Sequence, residues 1–274
     1  MFNGNDLRNP ASEIVRGSGL LAAALAATLV GETVWAAKRP LPTQSEIDAS
    51  GTVTGVSRDH RPLRVVALGD STLTGPGLSD SKHVWLRRAL EQLDHHRPIE
   101  LMSLAVGGSR VSDVAGRVHE AIELEPDLVV VAAGANDVLR FVPSRTVRTN
   151  LDGVIGRLLD VVDVIAVANI GDLGNIARIP PPLTSVYRAR SDTIRSLVED
   201  VVDQYERAVL LDVTGADPVL RNRTVFTADL FHPGEAGHAA WADSVRPGLR
   251  HAIERIEAGL NGTRAMPEIA ASTL

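Results

Sequence analysis

The sequence predicts an α/β fold, a three-layer α/β/α sandwich around a mainly parallel sheet of about five strands, and two observations carry this expectation. Short, unbroken apolar runs rich in valine recur along the chain, and between them lie segments with apolar residues at helical spacing. A strand covered by helices on both faces has no reason to alternate polar with apolar residues, so it reads as a continuous apolar run.

Taken in order, the first strand is Leu63 to Leu68 (LRVVAL), which ends at Gly69-Asp70-Ser71-Thr72. Leu86, Ala89, Leu90 and Leu93 then mark a helix, and Ile99 to Leu104 a second strand. Val111, Val114, Val118 and Ile122 mark the next helix, followed by the strand Asp127 to Ala133. Val147, Leu151, Val154 and Leu158 precede the strand Asp163 to Ala168, and Ile194, Leu197, Val201 and Tyr205 precede the strand Ala208 to Val213. The long connection Asn169 to Leu183, with Pro180 to Pro182, is expected either to wall a pocket or to form a stiff surface crossover. There is no internal repeat.

Ligands of such sheets bind beyond the carboxyl ends of the strands, where Ser71 would stand. A serine hydroxyl becomes a nucleophile when an imidazole takes its proton and a carboxylate fixes the imidazole tautomer. Asp229 and His232, in Asp229-Leu230-Phe231-His232-Pro233, are spaced so that on one turn the carboxylate can reach Nδ1 and leave the other nitrogen for Ser71. Two further strand ends suit an oxyanion hole: Ala105-Val106-Gly107-Gly108-Ser109, where glycine permits close backbone approach, and Gly134-Ala135-Asn136-Asp137, whose Asn136 amide is a second donor.

These blocks, GDST at Gly69 to Thr72, AVGGS at Ala105 to Ser109, GAND at Gly134 to Asp137 and DLFHP at Asp229 to Pro233, resemble in order and spacing those of the SGNH hydrolases, the GDSL esterases and lipases. The resemblance spans about Leu63 to Ala258 and implies the flavodoxin-like fold of that family. It implies Ser71 as nucleophile, His232 as base and Asp229 as its orienter. The oxyanion donors would be the Ser71 and Gly108 N–H groups and the Asn136 side chain, with Asp70, Gly107 and Asp137 supporting the loops. Thr72 stands where the family usually has Leu or Ile, and Ser103 where many members have Asn. The adjacent Gly107 and Gly108 leave open which of the two donates. The implied activity is hydrolysis of carboxylic esters through an acyl-enzyme, with two alternatives: acyl transfer to envelope sugars or lipids, and a non-catalytic membrane-associated binding protein. The implied substrate is a small-molecule or lipid ester, and neither metal nor organic cofactor is implied.

Composition narrows the field further. The chain has 274 residues, enough for one domain of roughly 200 residues plus ends. Its formal net charge is −6 with arginines scattered, so no basic stripe suits nucleic acid. The absence of cysteine excludes disulfides, thiolate catalysis and Cys-ligated zinc. With 3% aromatic residues, a pocket lined by aliphatic residues and proline is expected. The sequence also lacks the G-x-G-x-x-G, P-loop and G-x-S-x-G patterns.

The expected organisation is an N-terminal segment 1–18, an apolar helix 19–37, a linker 38–61, the hydrolase domain 62–258 and a tail 259–274. As a helix, Gly19 to Ala37 would span roughly 28 Å at about 1.5 Å per residue, near the hydrocarbon thickness of a bilayer. Its readings are a signal anchor, a cleaved signal peptide with Gly19 to Val30 as apolar region, and a soluble alanine-rich helix, the last favoured by Glu32. Membrane association through this segment, in the cell envelope, is the expected location, with the cytoplasm as alternative. His238, at the start of a helix, is expected to be structural, and His95 and His96 to be solvated. Oligomeric state is not readable.

Overall fold

A computed structural model of the chain describes residues 20, 23–32, 44–53 and 61–264. Helix α1 covers residues 23–32, so the expected 19–37 helix is described in part, and its ends, with segment 1–18, lie outside the described residues. Among the described residues no helix is long and apolar enough to cross a membrane.

The strands are β1 (Gly51–Val53), β2 (Leu63–Gly69), β3 (Ile99–Ser103), β4 (Leu128–Ala132), β5 (Val164–Ala168) and β6 (Ala208–Leu211). They form one sheet in the order β1-β3-β2-β4-β5-β6, parallel throughout except for β1, which pairs antiparallel with β3. The sixth strand is a correction: β1 lies within the segment 38–61 that the sequence presents as a linker. Its three residues are too few to give a period, and the neighbouring Gly, Ser and Thr are turn-like in composition.

The helices are α2 (Ser71–Thr74), α3 (Trp85–Glu91), α4 (Val111–Glu123), α5 (Ala135–Leu139), α6 (Ser144–Leu159), α7 (Leu183–Val202), α8 (Asp217–Leu220) and α9 (Glu235–Arg264). Alternate strand residues feed two cores. Val65, Ala67, Val130 and Ala166 face α3 and α9, while Val66, Leu68, Val129 and Ile165 face α4, α6 and α7. Both sets are shielded from water, which is why the strands carry valine and alanine without alternation. Helix α9 continues to Arg264, past the expected domain end at Ala258; residues 265–274 of the expected tail lie outside the described residues.

The chain runs from β2 to β3 on one side and then crosses to β4 on the other, so strand order reverses around β2. Crevices in open α/β sheets form at such a reversal, outside the carboxyl ends of the strands. The ends of β2, β3 and β4 carry the three upstream sequence blocks, and the reversal therefore gathers them.

Candidate active site

The Gly69 to Thr72 block sits on a tight strand-to-helix turn. The Asp70 carboxylate caps α2 by accepting the Thr72 N–H at 3.0 Å, and Gly75, in the left-handed region at φ 50°, closes the helix by donating to the Ser71 carbonyl at 3.0 Å. Ser71 is the first helical residue, just beyond the carboxyl end of β2. Glycine is required just before: a Cβ on Gly69 would lie 2.2 Å from the Ala132 carbonyl of β4.

The other two upstream blocks are sewn together. After β3, the Val106 N–H donates to the Gly69 carbonyl at 3.1 Å and Gly108 turns the chain at φ 77°. After β4, Asn136 Nδ2 donates to the Ser109 carbonyl at 3.1 Å, and Asp137 Oδ2 accepts the Val111 N–H that begins α4 at 3.0 Å. Asp70 and Asp137, each 1% exposed, thus hold loop backbone, the role expected from their position beside the other motif residues. Burial pushes the Asp70 carboxyl up to about 6, against the opposing Thr72 N–H, and burial likewise raises Asp137. The backbone N–H groups of Ser71 and Gly108 bond no protein group among the described residues, and the Asn136 amide keeps a second hydrogen free.

The downstream block supplies the acid and the imidazole. A turn from Thr227 to His232 is closed by Thr227 N–H to His232 carbonyl at 2.8 Å, with Leu230 held at φ 59°. Asp229, 2% exposed, accepts three hydrogen bonds on Oδ1: from the Thr227 hydroxyl at 2.8 Å, the Phe231 N–H at 2.7 Å and the His232 N–H at 2.9 Å. Its Oδ2 faces His232 Nδ1 at 2.7 Å. Burial pulls the Asp229 carboxyl upward, but these donors together outweigh it and hold the group well below the ordinary carboxylate range. Since a carboxylate only accepts, Nδ1 carries the hydrogen and Nε2 is left with a lone pair. Ser71 Oγ stands 3.2 Å from that nitrogen. The structure thus brings Ser71, His232 and Asp229 into one hydrogen-bonded line, with Asn136 lining the same cavity and bonded to Ser109 at the end of the Gly107-Gly108 turn.

A cavity opens from Ser71 and His232 toward the ends of β5 and β6. Its empty volume, open mouth included, is about 900 Å³. Trp85, Ile170, Val213, Leu220, Phe226 and Trp241 form much of its apolar wall. The expected aliphatic residues and proline are present, but the expectation of a lining without aromatic rings is corrected here: two of the three tryptophans of the chain line it, carried by α3 and α9. The connection after β5 lines it through Asn169 to Leu173, Asn175 and Ile176, which decides for the pocket-wall reading of that segment; Pro181 and Pro182 do not take part.

The remaining histidines divide. His238 is 1% exposed, as a structural residue should be, and burial pushes its imidazole down to about 3. His95 departs from the expected solvation: its side chain is 10% exposed, with Nδ1 3.1 Å from the Arg97 carbonyl, because α9 brings Glu257 over it. Among the described residues no cluster of His, Asp and Glu has the arrangement of a metal site.

The sequence pattern of the GDSL-like lipase/acylhydrolase family matches residues 67–240. No curated protein matches the chain. Among solved structures, the chain is similar to LAE5, an alpha/beta hydrolase from the metagenome of Lake Arreo, Spain, at 22% identity and TM-score 0.54, covering 74% of this chain and 99% of that one. It is similar to the psychrotrophic esterase EstA from Pseudoalteromonas sp. at 19% identity and TM-score 0.55, covering 70% and 99%. It is also similar to Axe2, an acetyl-xylooligosaccharide esterase from Geobacillus, at 17% identity and TM-score 0.55, covering 72% and 96%. These structures share the fold, and with the sequence match over most of the domain they place the chain: it belongs to the GDSL-like lipase/acylhydrolase family of serine ester hydrolases.

Proposed function

We propose that the protein cleaves carboxylic esters through a Ser71-His232-Asp229 triad and an acyl-enzyme intermediate. The observation that carries this is the continuous line from Ser71 Oγ to His232 Nε2 at 3.2 Å and from Nδ1 to Asp229 Oδ2 at 2.7 Å. Ser71 Oγ attacks the ester carbonyl carbon while its proton passes to Nε2, and Asp229 stabilises the imidazolium that results. The negative oxygen of the tetrahedral intermediate is met by the Ser71 and Gly108 N–H groups and the Asn136 amide. The C–O bond then breaks, the leaving alcohol takes the proton from Nε2, and the acyl group stays on Oγ. Water, deprotonated by the same imidazole, attacks the acyl carbon, releases the carboxylic acid and restores the serine.

The apolar wall beyond Ser71 suits an uncharged hydrocarbon portion of the substrate. The test is hydrolysis of p-nitrophenyl esters from acetate to palmitate, with Ser71→Ala alongside. Loss of activity in the variant, together with trapping of the acyl group on the intact protein, is expected; turnover that persists without the Ser71 hydroxyl refutes the triad. We also place the protein in the cell envelope, on the apolar 19–37 segment alone. Membrane fractionation of the chain with and without residues 1–37 tests that placement.

A further inference from the structure

Residues 44–50 precede the span that matches the family, yet they cross the catalytic loops. The Ile47 N–H donates to the carbonyl of Thr74, in the helix that carries Ser71, at 2.7 Å. Glu46 lies so close to the oxyanion turn that a Cβ on Gly107 would meet its Oε1 at 2.0 Å. Gln44 Nε2 donates to Thr227 Oγ1 at 3.1 Å. The far end of the strap is pinned by Arg87, which donates to the carbonyls of Ala49 at 3.2 Å and Thr52 at 2.9 Å, and by β1.

We propose that Gln44 is a positioning residue for the catalytic acid, acting through the Thr227 hydroxyl. A hydroxyl has one hydrogen to give. Thr227 Oγ1 is 2.8 Å from Asp229 Oδ1, an oxygen that can only accept, so the Thr227 hydrogen points there. What remains on Thr227 Oγ1 is acceptor capacity, and the group 3.1 Å away must therefore be the donor Nε2 of Gln44 rather than its oxygen. The resulting chain runs from Gln44 N–H to Thr227 O–H to Asp229 Oδ1. With the Phe231 and His232 N–H groups it occupies Oδ1 and leaves Oδ2 turned to the imidazole.

The amide oxygen is buried against the neighbouring turn and accepts no hydrogen bond among the described residues, so the bond to Thr227 is the one that orients the amide. Gly77, at φ 82°, lies under it, and a Cβ there would stand 2.0 Å from Gln44 Oε1. The Gly77 N–H donates to the Ser45 carbonyl at 3.4 Å, which keeps the strap on the turn. Gln44 does not line the cavity, and its effect on the reacting atoms passes through one hydroxyl.

The inference rests on the triad proposed above, and its test is a double-mutant cycle in the full chain, with p-nitrophenyl acetate as substrate. Gln44→Glu keeps the shape and reverses the polarity, so the Thr227 hydroxyl is drawn away from Asp229. A roughly 3-fold to 10-fold fall in kcat is expected, the scale of one hydrogen bond, with KM within about 2-fold. Gln44→Met, neutral and unable to donate, should show the same fall, and thermal melting separates it from misfolding. In a Thr227→Val background either change should add nothing, whereas in Thr227→Ser the loss should return. Wild-type kcat in both Gln44 variants, or an undiminished loss in the Thr227→Val background, overturns the assignment. Ser71→Ala distinguishes the two levels of failure: activity surviving in that variant overturns the triad itself, while its loss alongside full activity of the Gln44 variants overturns the role of Gln44 alone.

Discussion

His238 accepts the backbone N–H of Trp85 on Nδ1 at 3.2 Å and packs edge-on against Trp241, with ring centroids 5.2 Å apart. One buried neutral imidazole therefore ties the start of α3 to the start of α9 and sets both tryptophans of the cavity wall. Replacing it with leucine leaves the Trp85 N–H buried without an acceptor, a cost of about 1–3 kcal/mol. Urea unfolding at pH 7 should show His238→Leu destabilised by that amount, and His238→Asn, which restores an acceptor, by less. A His238→Leu protein as stable as wild type refutes the role.

The His238 bond also shows where the sequence stops being legible. The five parallel strands and the Ser71, Asn136, Asp229 and His232 positions could be read in advance, because each lies in a local pattern, an apolar run or a short block at a strand end. Trp85 and Trp241 sit in ordinary amphipathic segments, and nothing local marks them as neighbours of Ser71; only the packing of α3 against α9 brings them there. Gln44 is hidden for the same reason. Its partner Thr227 is 183 residues away, and the surrounding residues have the composition of a linker.

Two buried carboxylates make opposite contributions to stability with pH. Asp70 is raised to about 6, so it costs nothing below the unfolded value near pH 4, and its contribution is lost as pH climbs through 6. Asp229 is depressed, so its contribution is present above the unfolded value and is lost only as pH falls into the strongly acidic range. Asp70→Asn keeps an acceptor for the Thr72 N–H and removes the buried charge. Its stability relative to wild type should rise between pH 4 and pH 8 by up to about 3 kcal/mol, the size of the shift. Denaturant titrations at the two pH values check this; a pH-independent difference would mean that Asp70 ionises as freely in the fold as out of it.

Gly69 is where sheet geometry and nucleophile placement meet. A Cβ at this position lands on the Ala132 carbonyl, so β2 and β4 must part for alanine to fit. The same carbonyl accepts the Asp70 N–H at 3.2 Å, and parting the strands moves Ser71 away from His232. Gly69→Ala is therefore expected to lose about 1–3 kcal/mol of stability, as overpacked sites do, and most of its turnover. Calorimetry with an esterase assay checks both, and turnover kept at the wild-type level would show that the Ser71 position does not depend on this contact.

Asn136 presents the sharpest separation of catalysis from folding. Its Nδ2 already donates to the Ser109 carbonyl, which fixes the amide, and the second hydrogen is the one available to a developing oxyanion. Removing one such donor elsewhere costs roughly 100-fold to 1,000-fold in kcat. Asn136→Ala should fall in that range, with the melting temperature lowered only modestly, since the lost bond to Ser109 is part-buried. Asn136→Asp keeps the size but turns an acceptor and a charge toward the oxyanion, so it should be slower still. If Asn136→Ala instead loses less than about threefold in kcat while KM rises, the amide binds substrate in the ground state and the oxyanion is met by the Ser71 and Gly108 N–H groups alone.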